Sequence, residues 1–287
     1  MVKNRQNLIF NIDKEENIPS FKIVKRFRDI FKEKKVGFLG TLDPFASGVL
    51  PLFSGNFTKL IRYLEGCDKV YDAKIEFGIL TDTFDITGKI VGKKSNILNF
   101  DSKEIERIIQ KFFLGERLQI VPDYSATKID GVRSYKLVRK GLKLKERRKK
   151  VILKEFTVKD FDGRFLDLSV KVSKGFYVRS FAKELGEKLD TFGTLVSLRR
   201  IENGPFKIDD AKRIEDVKIK DSKLPEEILK GYMDMVELDD KSFEVLMKGN
   251  SLKFDFQNQK FLLVKNGRGY IVVESKDGTI YPKRCIV

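Results

Sequence analysis

Asp43 stands in the run Gly37-Phe38-Leu39-Gly40-Thr41-Leu42-Asp43-Pro44, between basic Lys32, Lys34 and Lys35 and apolar Val49-Leu50-Pro51-Leu52. Pro44 confines Asp43 to extended backbone conformations. The neighbouring glycines let a ligand's backbone come close. A carboxylate displayed this way can act as a nucleophile or a general base. On composition alone it can equally start an Asp-Pro turn. Arg179 lies where an alternating pattern gives way to a helical one, a place where side chains face a cleft. It is either a solvated surface charge or the partner of a carboxylate. In the second role it would hold the acid ionised by lowering its pKa and offer a rigid planar fork of donors.

The chain has no histidine and no tryptophan. Ser-His-Asp and Cys-His catalysis and His-ligated metal sites are therefore excluded. Cys67 and Cys285 are far apart and read as two unpaired thiols, not a zinc knuckle or disulfide framework. Catalysis falls to Asp, Glu, Lys, Tyr, Ser or Arg, and stacking on a base to the 24 Phe and 8 Tyr.

Charge points to the partner. The 58 Lys and Arg exceed the 42 Asp and Glu, leaving +16. Self-repulsion of that size is costly unless a polyanion is the usual partner. A lysine-rich proteome would spread the excess evenly, yet Val132 to Lys150 holds ten Lys or Arg against Glu146 alone. Nucleic acid is the leading partner. Tyr71 and Tyr177 are then core aromatics or the flanks of a base drawn out of RNA. The Gly37–Gly40 pair fits a loop that clamps RNA backbone, though such a pair is common. A glycosidase acting on a polysaccharide would need a second placed acid and a less basic cleft.

The elements that must hold these residues are legible as periodicities. Residues 7–13 read as a strand. Ser20 is a candidate N-cap for a helix to about Glu33, with Ile23, Val24, Phe27, Ile30 and Phe31 at helical spacing. From Gly37 to Gly55, four glycines with Pro44 and Pro51 argue against a long regular element and for a shaped loop. Tyr71, Ala73, Ile75 and Phe77 alternate with Asp72, Lys74 and Glu76 as in a half-buried strand. Thr81 to Gly88 is a turn-rich link whose acid spacing does not suit calcium. Ile105, Ile108, Ile109, Phe112 and Phe113 mark a helix over 102–114. Leu166 to Val172 is another alternating strand, and Val178, Phe181, Ala182, Leu185 and Leu189 mark a helix after it. Residues 205–235 read as a polar connection with short helices. Beyond lies a small β module, with strands at Phe254–Phe256, Phe261–Val264 and Gly269–Glu274. Its hairpin turns are expected at Asn266-Gly267 and Asp277-Gly278. The length of 287 residues suits two domains. No apolar run approaches the ~18 residues of a membrane helix, and the N-terminus has no signal-peptide core. A soluble cytoplasmic protein is the expectation.

The run from Gly37 through Pro44 and on to Phe45-Ala46-Ser47-Gly48-Val49-Leu50-Pro51 resembles the catalytic loop of the TruB family of tRNA pseudouridine synthases. Further segments agree in order: Lys69-Val70-Tyr71-Asp72-Ala73; Thr81-Asp82-Thr83 with Asp85 and Gly88; Pro122-Asp123-Tyr124-Ser125-Ala126 with Lys128, Gly131, Tyr135 and Gly141; Ser173 to Arg179; and Leu198-Arg199-Arg200. The resemblance covers about residues 8 to 212; beyond it the match to a PUA-like domain is one of texture. Two departures stand out. Phe38 replaces the family's usual His, and the family's K-P-x-G-x-x-S start reads Lys14-Glu15-Glu16-Asn17-Ile18-Pro19-Ser20.

The resemblance implies an α+β fold. A catalytic domain over 1–230 would have a mixed, mainly antiparallel sheet, flanking helices and a basic RNA-binding insertion at about 122–150. A small C-terminal β-rich PUA-like domain would occupy 231–287. The implied activity is isomerisation of uridine to pseudouridine at position 55 in the tRNA T-arm, by base flipping. Asp43 would attack the nucleotide or abstract a ribose proton, Arg179 would hold it, and Tyr71 would stack on the uracil. Tyr177, Leu198, Phe38, Lys14, Lys128, Arg133 and Tyr135 would bind substrate. No cofactor or metal is expected, and a monomer is. The alternatives are a non-catalytic RNA-binding or tRNA-folding module and a synthase acting on another structured RNA.

Overall fold

The computed structural model describes residues 6–94, 100–125, 127–129, 131–142, 144–254 and 262–286. In chain order its first elements are β1 (Ile9–Lys14), α1 (Ser20–Phe31), β2 (Val36–Phe38), β3 (Ser47–Ser54), α2 (Ile61–Leu64) and β4 (Lys69–Phe77). A short hairpin follows, β5 (Ile79–Thr81) with β6 (Ile90–Lys93), then α3 (Ser102–Phe112) and β7 (Gly115–Ile120). A second small hairpin, β8 (Lys128–Ile129) with β9 (Val132–Arg133), leads into α4 (Ser134–Arg139). Next come β10 (Arg148–Phe161), β11 (Phe165–Val172), α5 (Val178–Lys188), β12 (Gly193–Asn203) and β13 (Phe206–Lys207). The last stretch holds α6 (Pro225–Leu229), β14 (Asp234–Glu237), α7 (Asp240–Met247), β15 (Leu252–Lys253), β16 (Leu262–Asn266), β17 (Gly269–Lys276) and β18 (Thr279–Ile286).

Among the described residues, nine strands form the main sheet. Its order is β1-β3-β12-β4-β11-β10-β7, with β2 alongside β3 and β13 alongside β12. Every pairing is antiparallel except β12 with β3, which run parallel at Arg199–Ser47 and Arg200–Gly48. The alternation read from Tyr71 to Phe77 is realised in β4, where Ala73, Ile75 and Phe77 are buried. These residues join α1, α3 and α5 in one core through Phe27, Ile109, Phe181 and Leu185. Phe112 departs from its expected place on the apolar face of α3: it is 43% exposed, with the Lys188 ammonium 3.6 Å over its ring. The second sheet runs β14-β16-β17-β18-β15. The Asp277-Gly278 turn joins β17 to β18 with both residues at positive φ, as a two-residue hairpin requires. Phe254–Phe256 and Phe261 fall largely outside the described residues.

Two expectations fail near Asp43. The Gly- and Pro-rich stretch does contain a long regular element, since β3 is eight residues long and buried throughout. Pro51 is tolerated because β3 pairs with β12 only at Ser47 and Gly48, and with β2 only from Leu52 to Ser54. Pro51 is in register with Asn11 of β1, but its carbonyl accepts from Leu39 N (3.0 Å) on the opposite edge, so its nitrogen faces that edge too, between those pairings, where a missing N–H breaks no ladder. The irregular part is limited to 39–46. Nor is Ser20 an N-cap: the cap position is Pro19, and Ser20 is the first helical residue.

Candidate active site

The loop between β2 and β3 is held almost carbonyl by carbonyl. Asn203 Nδ2 donates to Leu39 O (2.9 Å), Arg200 Nη2 to Gly40 O (2.9 Å) and Lys14 Nζ to Pro44 O (3.2 Å). Ser20 Oγ donates to Leu42 O (2.9 Å) and accepts from Leu42 N (3.1 Å), which is the use it has in place of capping. Ala46 N closes a turn onto Asp43 O (3.2 Å). Irregular backbone buried this deeply must find partners for its polar groups, and three elements of the core, β1, α1 and β12, supply them. Gly40 sits at φ +69°, where a side chain is strained, and a Cβ there would press on the Arg200 guanidinium.

Arg179, the second residue of α5, is buried with its side chain only 4% exposed. Its fork meets Asp43 at two points, Nε to Oδ2 (2.9 Å) and Nη2 to Oδ1 (3.3 Å). The remaining donors reach Thr83 O (3.1 Å), Tyr124 O (3.0 Å) and Asp85 Oδ2 (3.4 Å). Asp85 is buried as well, and its other oxygen accepts from Thr83 Oγ1, Thr87 N and Thr87 Oγ1 (2.9, 2.9 and 2.5 Å). The arginine therefore bridges two carboxylates and cannot turn away from either without stranding a buried charge.

Burial raises the Asp43 carboxyl above the usual aspartate range; Asp85 adds to the rise, while Arg179 and Lys14 oppose it. This corrects the expectation that the arginine leaves Asp43 with a lowered pKa. The arginine's pull is real, but loss of water outweighs it. About a third of the Asp43 side chain (36%) still meets solvent.

Asp43 lies on a cavity of about 410 Å³, a size suited to a small ligand. Phe38, Tyr71, Tyr177, Leu198 and Arg179 line it together with Asp43, so six of the sequence-derived residues converge here. The buried Arg200 guanidinium lies against the Tyr71 hydroxyl and donates to Val49 O (2.7 Å). Tyr177 is fixed by a reciprocal pair with Gln119: Tyr177 N donates to Oε1 (2.8 Å), and Nε2 donates to Tyr177 O (3.0 Å).

Other expected residues lie elsewhere. Lys14 is wholly buried, so it cannot meet RNA directly. Its ammonium caps the carbonyls of Glu15 and Ile18 (both 2.8 Å) and Pro44, and burial lowers its pKa to about 8. Arg133 is exposed on β9, away from the cavity lining. Lys128 and Tyr135 fall on β8 and α4, but their side chains lie outside the described residues. Of the basic stretch, Arg148 to Lys150 belong to β10 in the main sheet, not to an insertion. Sequence reading misses Ser20 and Gln119 as parts of the site, and holds Asp85 and Arg200 only as members of segments that resemble the family, without the contacts they make. The available signals were the Thr83-x-Asp85-x-Thr87 spacing and an arginine at an inward position of β12.

Comparison with known proteins finds relatives over most of the chain. Residues 28–178 match the sequence profile described as TruB family pseudouridylate synthase, N terminal domain. The chain is 40% identical over 220 residues to tRNA pseudouridine synthase B of Francisella tularensis subsp. novicida (strain U112), covering 76% of this chain and 72% of that protein. It is 34% identical over 292 residues to tRNA pseudouridine synthase B of Dehalococcoides mccartyi, covering 98% and 97%. A solved Cbf5-Nop10-Gar1 complex contains a chain of the same fold, with TM-score 0.72 and 19% identity over 97% of this chain and 84% of that one. A chain in an H/ACA RNP bound to a substrate RNA containing 2'-deoxyuridine gives TM-score 0.71 and 18% identity over 98% and 85%.

Proposed function

This chain belongs to the TruB family of pseudouridylate synthases, and we propose that it acts on the uridine at position 55 in the T-arm of tRNA, with Asp43 as the catalytic carboxylate. It is an enzyme that isomerises uridine to pseudouridine in tRNA. The observation that carries the proposal is the two-point ion pair of Arg179 with Asp43 at a cavity lined by Tyr71 and Leu198.

A stacked base cannot present its glycosidic bond, so the uridine must be extruded at a cost of a few kcal/mol. Inside the cavity Tyr71 stacks on the uracil, Leu198 walls it and Tyr177 borders it. Asp43 acts on the nucleotide directly or on a ribose proton. The C1′–N1 bond breaks, the uracil turns, C1′ bonds to C5, and the C5 proton departs as N1 regains one. Atoms and electrons balance without hydrolysis or redox change. Arg179 keeps the carboxylate aimed and favours its ionised form, and the fixed loop carbonyls remove reorganisation from the reaction.

Asp43→Asn keeps the shape of the site and removes the charge. Its tRNA affinity should match the parent chain, while pseudouridine formation falls by about three orders of magnitude or more. Filter binding and nucleoside mass spectrometry measure the two properties. A variant that still forms pseudouridine at a comparable rate removes Asp43 from the mechanism. Mapping pseudouridines in RNA from cells with and without the protein tests the target position.

A further inference from the structure

We infer that Glu65 is an internal stand-in for an RNA phosphate: it holds Lys174 at the rim of the active-site cavity and gives it up when the substrate's backbone arrives. The inference rests on the RNA-modifying role proposed above. Glu65 follows α2, and Lys174 sits in the turn between β11 and α5. Their ion pair (Nζ to Oε2, 2.9 Å) joins two segments that line the cavity, and both side chains are 52% exposed.

The surroundings make that carboxylate anomalous. Lys149 also lines this side, its ammonium close against Gly175 in the same turn as Lys174. Lys69 lines it too, buried with its ammonium on the carbonyls of Glu65 (3.3 Å) and Cys67. Three lysines thus line this side of the cavity with one acid, and Lys174 is the one that meets its carboxylate. The other carboxylate lining the cavity, Asp43, is already paired with Arg179.

A flipped nucleotide stays tethered to two backbone phosphates, which remain at the mouth of the cavity that takes the base. An exposed Lys–Glu pair is weak. A phosphate offers Lys174 a stronger charge-assisted bond, and a Glu65 left beside it repels the incoming strand. Glu65 therefore lowers RNA affinity while keeping Lys174 positioned and unavailable to weaker anions. It is a positioning residue for substrate entry and takes no part in the chemistry.

The test compares the full chain with Glu65→Gln, Lys174→Gln and the double variant, using tRNA binding and turnover across a salt series. Glu65→Gln should lower Kd and KM about two- to fivefold at low ionic strength, the range set by exposed-pair energies. The gain should appear in KM and not in kcat. The slope of log affinity against log salt should change by less than one, because Lys174 meets the same phosphate in both proteins. In the Lys174→Gln background the gain should vanish. Unchanged or weaker binding by Glu65→Gln overturns the exchange. So does an equal gain in both backgrounds, which would be a general field effect. Urea midpoints confirm that the exposed substitutions leave folding intact. A parent chain that neither binds nor modifies tRNA would instead overturn the underlying functional reading.

Discussion

Asp43 is asked to be an anion in a place that disfavours anions. Burial and Asp85 raise its pKa, while Arg179 and Lys14 pull it down. Because the folded value lies above the ordinary one, the ionised form that the proposed mechanism uses is lost as pH falls through that raised value. The acid limb of kcat/KM should therefore lie at a higher pH than an ordinary aspartate would give. Asp85→Asn removes a like charge and should move the limb to lower pH. It should also reduce kcat by about tenfold or more, since Arg179 loses its second carboxylate anchor. A pH–rate profile of parent and variant measures both shifts, and a limb that moves upward would contradict the arrangement. Lys14 has the opposite character. Burial lowers it to about 8, so between pH 8 and its unfolded value near 10.5 the unfolded chain binds more protons. Its contribution to stability must then rise with pH across that window. Lys14→Met should remove that rise, seen as urea stability gaining less from pH 8 to 10 than in the parent chain.

At the scale of elements, the loop that carries Asp43 is a short irregular link whose shape is imposed by α1, β1 and β12. Ser20→Ala removes both hydrogen bonds to Leu42 and leaves a buried N–H and carbonyl without their partner. A stability loss of about 1–3 kcal/mol follows, and kcat should fall because Asp43 is the next residue. Denaturant unfolding with steady-state kinetics checks both; a kcat equal to the parent's would show that the clamp serves stability alone. This division explains what the sequence made legible. The alternations of β4 and β11 and the helical spacing of α1 and α5 record burial on one face, which periodicity reports directly. Asp43, Arg179, Tyr71, Tyr177 and Leu198 were legible through wording that resembles a family. β3 was hidden because it is buried on both faces and carries Pro51 where only its neighbours' pairing limits make a proline harmless. Ser20, Arg200 and Asn203 were hidden because their partners are backbone carbonyls more than 20 residues away. No local pattern encodes those contacts.

At the scale of the whole molecule, the C-terminal sheet is fused to the sheet that carries the site. Leu263, Val272 and Ile286 share one apolar cluster with Ile9, Leu39, Phe53 and Phe206. Glu226 of α6 accepts from Tyr270 (2.6 Å) and Lys265 (2.9 Å), and Lys59 reaches Cys285 O (2.6 Å). Leu39 belongs to the loop that carries Asp43, so this shared core also supports that loop. Calorimetry should show one cooperative transition for both sheets, and two separated transitions would contradict the shared core. The charge excess acts at the same scale. Arg133, Lys140 and Lys145 are exposed in the stretch before β10, where acids are nearly absent. A tRNA bound to the cavity has phosphates in reach of such a surface only if it spans beyond the flipped nucleotide. Each lysine or arginine that meets a phosphate releases condensed counterions and adds roughly 0.7–0.9 to the salt slope. Replacing all three with glutamine should weaken tRNA binding most at low salt and flatten that slope by up to about 2–3. The rate of chemistry in single turnovers at saturating enzyme should stay at the parent value, because none of the three lines the cavity. Unchanged affinity and slope would place the RNA on another face of the protein.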